Sequence, residues 1–127
     1  MTGSNFIGGQ RSAAGSVRLH SLDACTGEAL PVTFSQATPE EVDAAAQAAE
    51  AAFPAYSALA PERRAQFLDA IADQLDALDD TFVATVCRET ALPAGRIQGE
   101  RARTSNQMRQ FAKVLRLSLI HISEPTR

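Results

Sequence analysis

The tetrapeptide Thr38-Pro39-Glu40-Glu41 constrains this chain most, because it spells a helix start at the point where the apolar period changes. Thr38 is placed to cap. Pro39 takes the first helical position, where a missing N–H costs nothing, and Glu41 follows the cap by three residues. The Thr38 hydroxyl can accept from the amide of Glu41, whose carboxylate can reach back to the cap amide. The alanine-rich run that follows has high helix propensity, with Val42, Ala45, Ala49, Ala52, Phe53 and Tyr56 as its apolar stripe. Pro54 should kink or end this helix within about a turn.

Three further helices follow from the same period. Pro61 to about Leu78 places Phe67, Leu68, Ile71, Leu75 and Leu78 on one face. Asp79 and Asp80 break that helix and can cap the next, Thr81 to Thr90, which carries Phe82, Val83, Val86 and Cys87. After Ala91-Leu92-Pro93 a last helix spans about Arg96 to Arg116, with Ile97, Met108, Phe111 and Leu115 at three- and four-residue steps.

Ahead of Thr38, Asn5 to Phe34 reads as short strands. Asn5-Phe6-Ile7-Gly8-Gly9 is a strand running into a turn, and Val17 and Leu19 alternate with Arg18 and His20. Asp23 and Gly27 supply turn chemistry before Ala29 to Phe34, where Pro31 disfavours a central sheet position. The reading is a hairpin or meander on the edge of something larger. Four amphipathic helices with a small β element can form a complete α+β domain, or the outer layer of a larger α/β protein. Pattern alone leaves both open.

At 127 residues, 45% hydrophobic and 21% charged, the chain has the composition of one soluble globular domain. A net charge of −3 gives no reason to expect nucleic acid or an anionic membrane as partner. The charges are unevenly spread. Asp69, Asp73, Asp76, Asp79 and Asp80 make one helix acidic, while Arg96, Arg101, Arg103, Arg109, Lys113 and Arg116 make the last one basic; both read as solvated faces of neighbouring helices. No apolar run has the length of a membrane span and the N-terminus lacks a signal peptide's basic and apolar regions, so a cytoplasmic location is expected. Cys25 and Cys87 lie far apart, without Cys or His at metal-ligand spacing, and read as reduced thiols.

No residue set carries chemistry. Cys87 belongs to an apolar helix face beside Arg88, Cys25 lies in a turn, and His20 alternates to the polar side of its strand. The glycines of Phe6 to Gly15 match neither a dinucleotide fingerprint nor a phosphate loop. The aspartates of residues 69–80 have no calcium-loop spacing. No catalytic, cofactor-binding or metal residue is assigned.

As a whole, the stretches from Asn5 to Gln10, Ser21 to Phe34 and Ala37 to Leu78 resemble the N-terminal region of the aldehyde dehydrogenase superfamily. The resemblance covers Asn5 to Arg116, about the first quarter of a family member. It implies an α+β fragment of a larger α/β fold, an N-terminal β-hairpin followed by four amphipathic helices of the cofactor-binding domain. More narrowly, Glu89 to Arg116 resembles the NADP-linked branch that oxidises 2-oxoglutarate semialdehyde (2,5-dioxovalerate). Most other family members show a Glu-x-Gly-Lys-Pro-like stretch where this chain has Glu89-Thr90-Ala91-Leu92-Pro93.

In the family a cysteine thiolate attacks the aldehyde, hydride passes to NAD or NADP, and a glutamate activates water to hydrolyse the thioester. The resemblance implies that these groups, and the lysine and glycine-rich turn that hold the cofactor, follow the segment present here. Neither Cys25 nor Cys87 matches the nucleophile's motif, and neither Glu89 nor Glu100 matches the catalytic glutamate. The parent is thus expected to be a homo-oligomeric enzyme acting on a small aldehyde, and this chain to be inactive and to bind no cofactor. The alternative is a complete small helical binding or adaptor domain.

The last eleven residues, Leu117 to Arg127, depart from the family, whose members continue from the last helix into the sheet. The string matches one reading frame of a transposon-end sequencing adapter. The expected organisation is therefore N-terminal strands over 1–37, the helical start of the cofactor-binding domain over 38–116, and a non-native tail over 117–127. The last helix can run on through Leu117 to Ile122, since Pro125 is the first breaker. Deleting the tail is expected to change stability to urea by no more than a surface change does, about 0.5 kcal/mol. A loss of several kcal/mol would mark the tail as native.

Overall fold

The computed structural model describes residues 2–122, the side chains of 118–122 excepted. Pro125 and the rest of 123–127 lie outside the described residues. The order is β1 (Asn5–Ile7), β2 (Gln10–Ser12), β3 (Arg18–Leu22), β4 (Ala29–Ser35), α1 (Pro39–Ser57), α2 (Pro61–Asp76), α3 (Asp80–Thr90) and α4 (Ala94–Ile122). The chain divides into two compact units, residues 1–57 with 88–91, and residues 58–87 with 92–127.

In the first unit the strands form two separate antiparallel hairpins, β1–β2 and β3–β4. The expected turn after Ile7 closes the first. Ile7 pairs with Gln10 across Gly8 and Gly9, whose φ values of 60° and 80° suit a two-residue hairpin loop. Phe6 pairs with Arg11, whose guanidinium carbon lies 4.8 Å from the ring centroid. Sequence reading found the strand and turn but not β2, whose Gln-Arg-Ser has no apolar alternation to reveal it. In β3–β4 the register slips between His20 and Leu22, and Pro31, with no N–H for the ladder, lies opposite that irregular stretch. The hairpins are tied together by Ser35 N–H donating to the Gly3 carbonyl (3.0 Å) and by Asn5 Nδ2 donating to the Ser35 carbonyl (3.2 Å).

α1 begins as its sequence requires. Glu41 N–H donates to Thr38 Oγ1 and Thr38 N–H donates to Glu41 Oε1, both at 3.1 Å. The helix ends at Ser57, three residues past Pro54. Its stripe, however, is largely open, with Val42 60% and Phe53 66% exposed.

The second unit is organised around an antiparallel pair. Arg101 reaches just past the end of α2, Arg109 its last turn, and Arg116 its start and middle. The most deeply buried positions here are small, Ala65 and Ala72 on α2 and Ser105 and Ala112 on α4, with Ile97 buried at the start of α4. Each set repeats at seven residues, the spacing of two helix turns, so short side chains line up and allow close approach of the two helices. The apolar face read from the sequence of α2 is largely open: Phe67 and Leu78 are 52% and 40% exposed, while Leu68, Ile71 and Leu75 are half-buried. Small residues on another face are the ones fully buried. α2 stops at Asp76, two residues short of expectation, and α4 runs to Ile122.

α3 starts with Asp79 Oδ1 accepting from the amides of Thr81 (3.0 Å) and Phe82 (3.4 Å), so Asp79 of the expected Asp79–Asp80 pair caps it. Val83 is buried, and Phe82, Val86 and Cys87 are half-buried. Its end is unusual: Ala91, the residue after Thr90, has φ of 61°. Left-handed backbone at the residue after a helix normally falls to glycine, which is what the Glu-x-Gly-Lys-Pro pattern carries there.

Two outcomes follow for stability. Ala91→Gly removes a left-handed penalty of about 1–2 kcal/mol and adds about 0.4–1 kcal/mol of unfolded-chain entropy, so urea unfolding should show a gain of about 0.5–1 kcal/mol. A loss would mean that the alanine is not strained. Ala72→Leu should cost about 1–3 kcal/mol by overpacking the α2–α4 contact, whereas the same change at half-open positions costs little.

Candidate functional site

Among the described residues, cysteine and histidine side chains are scattered rather than gathered. Cys25 is exposed in the turn between β3 and β4, and Cys87 is half-buried on α3. His20 is exposed on β3 opposite Thr33. Among the described residues no three His, Cys, Asp or Glu side chains are grouped to hold a metal ion. Glu100 is engaged locally, accepting from Arg96 Nε at 3.1 Å, and Glu89 is exposed.

The densest polar arrangement of the first unit centres on Glu41. Its Oε1 accepts from the Thr38 amide, and its Oε2 accepts from Ser12 Oγ at 2.5 Å. Glu41 is itself buried, and these donors, the Ser12 hydroxyl foremost, hold its carboxyl below the ordinary value of 4.5. A depression of about 390 Å³ opens beside it, lined by Ile7, Arg11, Ser12, Thr38, Glu41 and Ala44. The one buried acid of that depression is committed to holding β2 against the start of α1.

The turn between β3 and β4 is built the same way. Asp23 Oδ1 accepts from the amides of Cys25 (2.8 Å) and Thr26 (3.1 Å), which lower its pKa, with Arg88 adding a smaller attraction. Ala24 N–H donates to the Arg88 carbonyl at 2.9 Å, so this turn satisfies one of the last carbonyls of α3.

In the second unit, the acidic and basic runs meet. Arg109 Nη2 donates to Asp73 (3.1 Å) and Asp76 (2.7 Å). Arg116 donates through Nε and Nη2 to both oxygens of Glu62 (2.9 and 3.2 Å) and through Nη1 to Asp69 (2.8 Å). Arg101 Nη1 donates to the Leu78 carbonyl just past the end of α2. The Arg109 guanidinium, with the Ser105 hydroxyl second, lowers the pKa of Asp76, and that of Arg116 lowers Glu62. The runs are solvated faces of neighbouring helices, as their sequence suggested, and Asp69, Asp73, Asp76, Arg109 and Arg116 are in addition matched across the helix pair. The signal was present in the spacing, since Glu62, Asp69 and Asp76 repeat at seven residues, as do Arg109 and Arg116.

At the helix starts, Thr38 Oγ1 takes the Glu41 amide of α1 and Asp79 Oδ1 takes the Thr81 and Phe82 amides of α3, while α2 opens on Pro61. No described helix is long and apolar enough to cross a membrane.

Two hairpins, a boxed helix and a clamped helix pair match the opening of a known fold. The aldehyde dehydrogenase family model matches residues 12–122. The chain belongs to the aldehyde dehydrogenase family. Among its relatives, the alpha-ketoglutaric semialdehyde dehydrogenase of Acinetobacter baylyi is 44% identical over 114 residues, covering 90% of this chain and 22% of that protein. The alpha-ketoglutaric semialdehyde dehydrogenase 2 of Azospirillum brasilense is 40% identical over 117 residues, covering 91% and 22%. The fold is shared with an NAD-dependent benzaldehyde dehydrogenase from Corynebacterium glutamicum, with a TM-score of 0.81 at 19% identity over 89% of this chain and 25% of that one. The chain thus spans about a fifth of the length of the curated relatives it matches.

Because the folded-state pKa values of Asp23, Glu41, Glu62 and Asp76 are all depressed, the unfolded chain binds more protons in acid. Their stabilisation is present above the ordinary values of 3.8 for Asp and 4.5 for Glu, and is lost as pH falls through the folded values. Thermal unfolding should show Tm falling steadily below about pH 4.5, with a shallower fall for Glu41→Gln. A Tm unchanged between neutrality and pH 3 would contradict these assignments.

Proposed function

We propose that this chain is the N-terminal part of an NAD(P)-dependent aldehyde dehydrogenase that oxidises 2-oxoglutarate semialdehyde to the dicarboxylate, in the cytoplasm and as a homo-oligomer. The supporting observation is the 44% identity to a relative named for that semialdehyde, over nine-tenths of this chain and about a fifth of the relative. In this reading the present residues do architectural work. Glu41 and Ser12 fix the start of α1, and Arg109 and Arg116 fix the α2–α4 pair, while reacting groups come from sequence beyond the matched segment. Residues 117–127 are proposed to be adapter-derived. Neither thiol has a role as nucleophile, since Cys25 lies in a turn built by Asp23 and Cys87 stands on a half-buried helix face.

The test is a chimera of residues 1–116 followed by the remainder of the Acinetobacter relative. It should oxidise 2-oxoglutarate semialdehyde with a nicotinamide cofactor at a kcat/KM within about tenfold of that relative, a difference of ~1.4 kcal/mol in transition-state stabilisation. Cys25→Ser and Cys87→Ser in the chimera should leave the rate unchanged, and the 1–127 chain alone should reduce neither cofactor. A folded but inactive chimera, or turnover by the isolated chain, would overturn the proposal.

A further inference from the structure

No further inference is drawn: the strongest candidate, the apolar face of α2 running from Ala70 through Ile71 and Leu75 to Leu78, carries nothing because nothing in the structure shows what covers it.

Discussion

The first unit depends on the carboxylate of Glu41. One oxygen closes the capping box of α1 and the other receives the Ser12 hydroxyl, so a single side chain sets where the helix begins and where the first hairpin stands against it. A buried carboxylate is costly unless its lone pairs are met by donors, and here both oxygens are met. Strands too short to be stable alone gain a fixed neighbour, and a helix rich in alanine, whose stripe is largely open, gains an anchored end.

The second unit solves its problem differently. Apart from Val83 and Ile97 its buried side chains are small, so the apolar area that α2 and α4 remove from water is modest. Close approach along Ala65, Ala72, Ser105 and Ala112 is combined with arginines that lie alongside and grip carboxylates one and two turns apart. The guanidinium suits that task because its planar fork can satisfy two carboxylates, or both oxygens of one. Fixing which arginine meets which acid also fixes the register of the pair.

Local signals were legible in the sequence and partner choice was not. The capping box at Thr38, the aspartate cap at Asp79, the short run past Pro54 and the existence of all four helices could be read, because each depends on neighbours within a few residues. The burial of α2 could not, since which stripe of a helix becomes core depends on the element across from it, and large residues are a poor guide where small ones allow the closest contact. Ser12 was invisible as the partner of Glu41 for the same reason, being twenty-nine residues away in sequence.

The arginine grip has a consequence for how the two units respond to dissolved ions. The acids that Arg109 and Arg116 hold keep between a third and three-quarters of their side-chain surface in water, where mobile counterions compete with a guanidinium. The Glu41 contacts are short, buried and partly made to uncharged donors, which salt screens poorly. Molar chloride should therefore weaken the arginine contacts of the helix pair more than it weakens the contacts of Glu41.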